Sequence, residues 1–498
     1  MEELDTRRLK ESAVRGGFWV FFLRIFEKGF AFVRLIILAR LLAPRDFGIL
    51  GVAMLTMATL ETFSMTGFQD ALIQKKEDIA GYLDTAWTIL VIRGVIIFAI
   101  LFWLAPPAAV FFASPEAKGV IRMISLSVIL EGLTNIGLVH FNRDLDFKRR
   151  FYYQSSGVLV DFVVSLVLAV ILRNVWALVW GLLAGQTVKV FVSFVIHPFR
   201  PRFSLSMAQT RELFGYGKWI LGSKIVNFFL TQGDDLLVGK LLGIRWLGFY
   251  QMAYKVSNLP ATEVTHVISQ VLFPTYSKLQ DNIPKLKDAY LKALALIAFF
   301  SFPIGGFFMV TAPYFTDIFL GDKWAPMVPA MQVLALWGII RSIGATTGPV
   351  FKAVKRPDLV TRIQFAKLVL LLALIYPFTV KWGILGASWA VVLAAFIINP
   401  IADYLAIKII NCRVGEFIKP LLLSAGSTVA MAAVLYGVIR FVLKGVDVLA
   451  FLGLSVLAVG AYLIFSIILK AWLRVESGPM GLKEIGPLLK GMFGHGKD

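Results

Sequence analysis

Cysteine is all but missing from this chain of 498 residues: Cys412 stands alone. One thiol closes no internal disulfide, so a secreted disulfide scaffold and a multi-cysteine zinc site are both excluded. Histidine is nearly as scarce. His140, His197, His266 and His495 are scattered, and no metal pair or catalytic triad can be read from them. Charge is short as well, at 16% of residues against roughly 25% in soluble proteins, which excludes a disordered chain and an ordinary cytosolic enzyme. No P-loop is present, so this chain is not expected to hydrolyse ATP.

Apolar side chain fills the space that charge leaves. It makes up 58% of the residues, and mean hydropathy is +0.77. No water-soluble fold has an interior large enough to hide so much, so the chain reads as an integral membrane protein. A helical span needs about 20 mainly apolar residues to cross roughly 30 Å of hydrocarbon. Fourteen such runs can be marked: 17–39, 47–68, 85–105, 119–139, 152–172, 176–197, 219–239, 247–273, 293–312, 327–351, 363–380, 383–407, 420–441 and 448–469. The first, seventh and eighth are the most polar. No connection exceeds about twenty residues, which leaves no room for an extramembrane domain. The first fifteen residues are charged and carry no cleavage site, so no removable signal peptide is expected. The expectation is a non-enzyme without cofactor or metal, because the longest outer connection, about fourteen residues, is too short for a catalytic loop.

The formal net charge of +19 raises the question of where the charge lies. The N-terminus and every second connection hold thirty Lys and Arg, among them Arg143, Lys148, Arg149, Arg150, Lys278, Lys285, Lys287, Lys352, Lys355 and Arg356; the opposite side holds nine. Basic residues resist translocation, so both termini are expected in the cytoplasm, with the protein in the cytoplasmic (inner) membrane. Topology and contact with anionic lipids then account for the charge. Nucleic acid is not an expected partner, because no basic domain provides its footprint.

The chain resembles itself at an offset of 200 residues. Gly17-Phe18-Trp19-Val20 faces Gly217-Lys218-Trp219-Ile220, Arg40-Leu41-Leu42 faces Lys240-Leu241-Leu242, and Gly48 faces Gly248; positions 17–50 and 217–250 share seven identities in thirty-four. The division this implies is a cytoplasmic N-terminus (1–16), a first lobe of six spans (17–197) and a cytoplasmic linker (198–218). A second lobe of six spans (219–407), an extra pair (420–469) and a basic cytoplasmic tail (470–498) follow. Spans one and seven both start in the cytoplasm, so the repeats are parallel. Transporters built from such repeats hold substrate between the halves and rock one against the other.

Charges inside the spans point to where a substrate would sit. The basic ones are Arg24, Lys28, Arg34, Arg93, Arg122, Lys189, Lys224, Lys255, Arg341, Lys367 and Arg440; the acids are Glu27, Glu61, Glu131, Asp161, Asp234, Asp235, Glu263 and Asp403. Each costs roughly 2.5–3.5 kcal/mol at a helix centre, so most must face a wet cavity or a partner. Arg122, Lys189, Lys367 and Arg440 lie close enough to an end to snorkel. On span one, Arg24, Glu27 and Arg34 share one face, with Lys28 beside it; on span seven, Lys224, Asn227, Asp234 and Asp235 do the same. Guanidinium forks match phosphate oxygens. The substrate-binding candidates are therefore Arg24, Arg34, Lys224, Lys255 and Arg341, for an anionic head group. Glu27, Glu61, Asp234, Asp235 and Glu263 are the candidates for ion coupling or gating, and at the repeat offset Arg34 corresponds to Asp234, its expected partner in an outer gate.

Several stretches resemble the polysaccharide-export, or lipid-linked oligosaccharide flippase, family of the multidrug/oligosaccharidyl-lipid/polysaccharide exporter superfamily. They are Ala39-Arg40-Leu41-Leu42-Ala43-Pro44-Arg45-Asp46-Phe47-Gly48, the run from His140 to Arg150, Leu247-Gly248-Phe249-Tyr250-Gln251-Met252-Ala253-Tyr254-Lys255, and Leu320-Gly321-Asp322-Lys323-Trp324. The resemblance implies an all-α membrane protein of about 14 transmembrane helices (~20 residues each), two parallel six-helix lobes in a V, and two C-terminal helices. It implies a cavity lined by spans one, two, seven and eight, and a polyprenyl-pyrophosphate oligosaccharide flipped from the inner to the outer leaflet for exopolysaccharide export. The extra pair of spans would provide a groove for the polyprenyl tail. Membrane lipids, a polysaccharide polymerase and glycosyltransferases are the partners it suggests. A drug or small-solute cation antiporter, a peptidoglycan-precursor flippase and a non-transporting scaffold are the alternatives.

Overall fold

In lipid a chain this apolar has to fold into helices, because every backbone N–H and C=O must find its partner within the segment. A computed structural model of the protein describes residues 22–24, 26–64, 79–143, 146–443 and 445–472, with side chains except at 80, 142, 208–223, 259–264, 266–268 and 270–271. Among the described residues there is no strand. Nine described helices are long and apolar enough to cross a membrane. The protein is a multi-pass, all-α membrane protein. Two compact units divide the chain: the first runs to Phe228 and takes in Gly243–Gly248, and the second holds Phe229–Leu242 and resumes at Phe249.

The first unit contains α1 (26–41), α2 (Pro44–Phe63), α3 (Ala80–Phe111), α4 (Ala117–Ile124), α5 (Leu126–Leu133), α6 (Phe147–Leu172) and α7 (Trp176–Ile196). Pro44 opens α2, where its missing N–H costs nothing, and the Asp46 carboxylate reaches back to accept the Ala43 N–H at 2.9 Å. Asp146 caps α6 in the opposite sense, its carboxylate reaching forward to accept the Arg149 N–H at 3.1 Å. One expectation fails here. The fourth run, 119–139, is not a single helix but α4 and α5, ending at Leu133. Buried Asn135 accounts for the end at Leu133: its side-chain oxygen takes the Gly137 N–H at 2.9 Å and its amide donates to the Phe199 carbonyl at 2.8 Å. That local bond diverts the backbone into a 3-10 turn over Ile136–Leu138.

Small residues bring α6 and α7 close together, as they do in membrane bundles generally. A Cβ added at Gly185 would lie 2.7 Å from the Gly157 carbonyl oxygen. Gly48 and Gly248, both in the first unit, approach more tightly still: a Cβ on Gly48 would strike the Ile244 carbonyl and one on Gly248 the Pro44 carbonyl.

The second unit begins within α8 (Met207–Leu242) and α9 (Ile244–Leu279), each 36 residues long. It continues through α10 (Ile283–Phe315), α11 (Val328–Ala353), α12 (Pro357–Ile409), α13 (Val414–Phe441) and α14 (Val448–Trp472). Its core is built around Tyr276, Tyr290, Leu294, Ile297, Val350 and Ile407, with a second cluster of Met431, Leu435, Leu454 and Tyr462 where α13 and α14 meet. The eleventh and twelfth runs both fall within α12. They are separated by a kink at Gly383 (φ 58°, ψ −141°), a conformation only glycine adopts without strain. Gly386 then seats directly on the Phe378 carbonyl.

Candidate functional site

Two clusters of charge lie inside helices, one in each unit. In the first unit α1 carries Arg34 to α6. Arg34 Nη1 lies 2.7 Å from Asp161 Oδ2, each side chain 24% exposed, and Arg34 Nε donates to Ser165 Oγ at 2.8 Å. Asp161 and Ser165 are one helical turn apart and so present both groups to one guanidinium. Gly181 on α7 clears the space, since a Cβ there would lie 2.8 Å from Asp161 Oδ1. Within the first unit, the partner of Arg34 is thus Asp161, in an ion pair between α1 and α6.

Arg24, just before α1, and Glu27 on it are half-buried, Lys28 is exposed, and Glu61 is half-buried near the end of α2. Arg93 of α3 is structural. Its Nε donates to the Ser64 carbonyl at 2.9 Å and its Nη2 to the Glu61 carbonyl at 3.3 Å, closing the last turn of α2. The guanidinium carbon of Arg122 sits 4.2 Å from the Phe102 ring centroid.

In the second unit the two aspartates of α8 face α9. Tyr250 OH donates to Asp234 Oδ2 at 2.7 Å, and Gln251 Nε2 to Asp235 Oδ2 at 3.0 Å. Asp234 is buried. One turn along α9, Tyr254 OH accepts the Trp337 Nε1–H at 3.1 Å. Lys367 of α12 lies over the same indole, its Nζ 4.2 Å from the ring centroid. Arg341, one turn beyond Trp337, is exposed, as are Lys255 and, in the first unit, Lys224. Elsewhere, buried Asp403 accepts from Thr347 Oγ1 at 2.6 Å. The side chain of Glu263, residues 1–21 and residues 473–498 lie outside the described residues.

The structure thus joins Asp234 and Asp235 to Tyr250 and Gln251, and Arg34 to Asp161. Sequence reasoning had singled out neither Ser165 nor the Trp337–Tyr254 pair. Asp161 was visible as an acid inside a span, but nothing along the chain couples it to a residue 127 positions earlier. Among the described residues no three His, Cys, Asp or Glu side chains gather as a metal site. The second unit also holds a cavity of about 440 Å³ walled by apolar side chains of α10, α13 and α14, including Phe299, Phe300, Phe307, Met431 and Tyr462.

Residues 37–329 match the family model described as "Polysaccharide biosynthesis protein". The chain belongs to this family. Among polysaccharide biosynthesis proteins it is similar to the lipopolysaccharide biosynthesis protein WzxC of Escherichia coli (strain K12), 26% identical over 398 residues, 80% of this chain and 81% of that one. It is also similar to the teichuronic acid biosynthesis protein TuaB of Bacillus subtilis (strain 168), 22% identical over 375 residues, 75% of this chain and 77% of that one. Among solved structures, the lipid II flippase MurJ in an inward closed conformation matches with a TM-score of 0.74 and 17% identity, over 93% of this chain and all of that one. At that identity the match speaks for the fold. What this polysaccharide biosynthesis protein offers a ligand is positive charge inside helices and, in its second unit, an apolar cavity.

Proposed function

We propose that this protein flips a polyprenyl-pyrophosphate-linked oligosaccharide from the cytoplasmic to the outer leaflet of the cytoplasmic membrane, for export of a cell-surface polysaccharide or exopolysaccharide. The observation that carries the reading is that Lys224, Lys255 and Arg341 stand exposed within long helices of a polysaccharide biosynthesis protein. Basic groups at that depth belong against water or an anion, and a pyrophosphate with its glycan provides the anion. Within the reading, Arg24 and Lys224 receive the pyrophosphate, and Lys255 and Arg341 hold it deeper in. Glu27, Glu61, Asp234 and Asp235 serve coupling or gating, and the apolar cavity between α10, α13 and α14 takes part of the polyprenyl chain.

Alternating access requires two repeats, 17–197 and 219–407, with both termini cytoplasmic. The mutual contact of Gly48 with Ile244 and of Gly248 with Pro44 supports the duplication, since each partner sits 200 positions from its counterpart. A drug-cation antiporter would be better served by acids alone than by the excess of bases found here. The test is flipping in vesicles. The purified protein, reconstituted with a fluorescent polyprenyl-pyrophosphate oligosaccharide in the inner leaflet, is expected to deliver it to the outer one without ATP. If that lipid stays put while a labelled cation is transported, or while lipid II is flipped, the substrate assignment is wrong.

A further inference from the structure

Arg341 and Lys367 are two cations in the wrong place for structural residues. From Val328 to Arg341 is 13 residues and from Arg341 to Ala353 is 12, so at 1.5 Å per residue the side chain leaves the helix about 20 Å from one end and about 18 Å from the other. That is too deep to reach either surface of a ~30 Å hydrocarbon layer. Lys367 lies 10 residues into α12 from Pro357, or about 15 Å along the helix. Among the described residues no carboxylate forms an ion pair with either. Asp234 and Asp235 of α8 are engaged by Tyr250 and Gln251. Arg341 nevertheless lies within electrostatic reach of both Lys367 and Tyr254.

The surroundings hold the ammonium in place. Trp337 is 7% exposed, its ring is anchored by the hydrogen bond to Tyr254, and its face carries Lys367 at 4.2 Å. A cation–π contact of this kind restrains a long flexible side chain and leaves its three N–H donors free for an acceptor. One turn along α11 from that indole, Arg341 presents a planar fork that fits two oxygens of one oxyanion. Among the described residues no counter-ion pairs with these two like charges, which repel one another, and a bound anion relieves the repulsion.

We propose that Arg341 and Lys367 form an oxyanion-binding site within the second unit, with Trp337 as the platform that positions Lys367. Its ligand is a phosphate of the polyprenyl carrier or a carboxylate of an acidic sugar. As a substrate site it rests on the flippase reading, and it adds the residues and the chemistry by which that substrate is held.

The experiment uses the full chain in nanodiscs with two probes: farnesyl pyrophosphate, and a short oligosaccharide of glucuronic acid. Farnesol is the uncharged control. Arg341→Gln and Lys367→Met are each expected to weaken one of the charged probes about tenfold, which is about 1.4 kcal/mol, and to leave farnesol unchanged. Loss confined to farnesyl pyrophosphate assigns the oxyanion to the carrier; loss confined to the oligosaccharide assigns it to the glycan. Both variants should melt at a higher temperature than the unmutated protein when empty, because an uncompensated charge has been removed. Unchanged binding of both charged probes overturns the proposal. A variant that melts lower or fails to fold also overturns it, since the cation would then be structural. Flipping by the unmutated protein is scored separately. If it flips but the variants bind normally, only the site is wrong; if it does not flip but the variants lose binding, the site stands and the flippase reading falls.

Discussion

Arg34 shows how far a single residue's role depends on its partner. Its guanidinium bridges Asp161 and Ser165, so replacing it with Asp places two carboxylates where an ion pair stood. Breaking a buried pair costs about 3–5 kcal/mol, and the partial exposure of this one puts it at the lower end. Arg34→Asp is expected to abolish polysaccharide export in cells, and adding Asp161→Arg to restore part of it. Rescue by Asp234→Arg instead would show that the working partner lies on α8. Cys412 allows a second prediction. It is buried in the turn between α12 and α13, and burial, with the Glu416 carboxylate beside it, pushes its thiol up to about 11. A raised thiol pKa means little thiolate at neutral pH. Alkylation by maleimide should therefore be slow at pH 7 and accelerate with each unit of pH up to about 11; rapid labelling at pH 7 would contradict the buried placement.

At the scale of the element, glycines decide how closely helices approach. Gly185→Leu forces α7 away from α6, because the first added carbon already meets the Gly157 carbonyl at 2.7 Å. Overpacking of this kind costs about 1–3 kcal/mol and should appear as a lower melting temperature in detergent. Gly437 on α13 is the contrasting case. A Cβ there meets nothing within 4 Å, so Gly437→Ala should leave the melt unchanged or raise it by the ~1 kcal/mol that separates Ala from Gly in a helix. Gly383→Ala tests the kink of α12, where φ is 58°; it should destabilise the protein by about 1–3 kcal/mol although no contact is lost.

For the whole molecule, topology and driving force are the quantities to measure. The slow chemistry expected of Cys412 lets introduced cysteines report sidedness with little background. Cysteines at Lys118 and Lys323 should label from outside intact cells, and one at Arg150 only after the membrane is opened; labelling of Arg150→Cys from outside would overturn the orientation. A pyrophosphate moving outward carries about two negative charges, each worth roughly 2.3 kcal/mol per 100 mV. An inside-negative potential should therefore speed flipping in vesicles, and collapsing it should reduce the outward bias without abolishing exchange. Equal rates with and without the potential would mean that the charge is neutralised before it crosses.

Class and helical architecture follow from the chain alone, because bilayer thickness converts length and hydropathy directly into spans. The runs at 363–380 and 383–407 could be separated for the same reason, and Gly383 sits at their junction. Where polar side chains interrupt an apolar run, hydropathy loses that power. Asn135 is the example: its amide bonds to Gly137 and Phe199 and ends a helix that composition alone extends to residue 139. Charges inside spans were legible one at a time, since each must find water or a partner. Their pairing was not. Arg34 and Asp161 are brought together by the packing of α1 on α6, and Lys367 and Trp337 by that of α12 on α11. The helical repeat determines which face a residue occupies, and only the tertiary fold determines what that face meets.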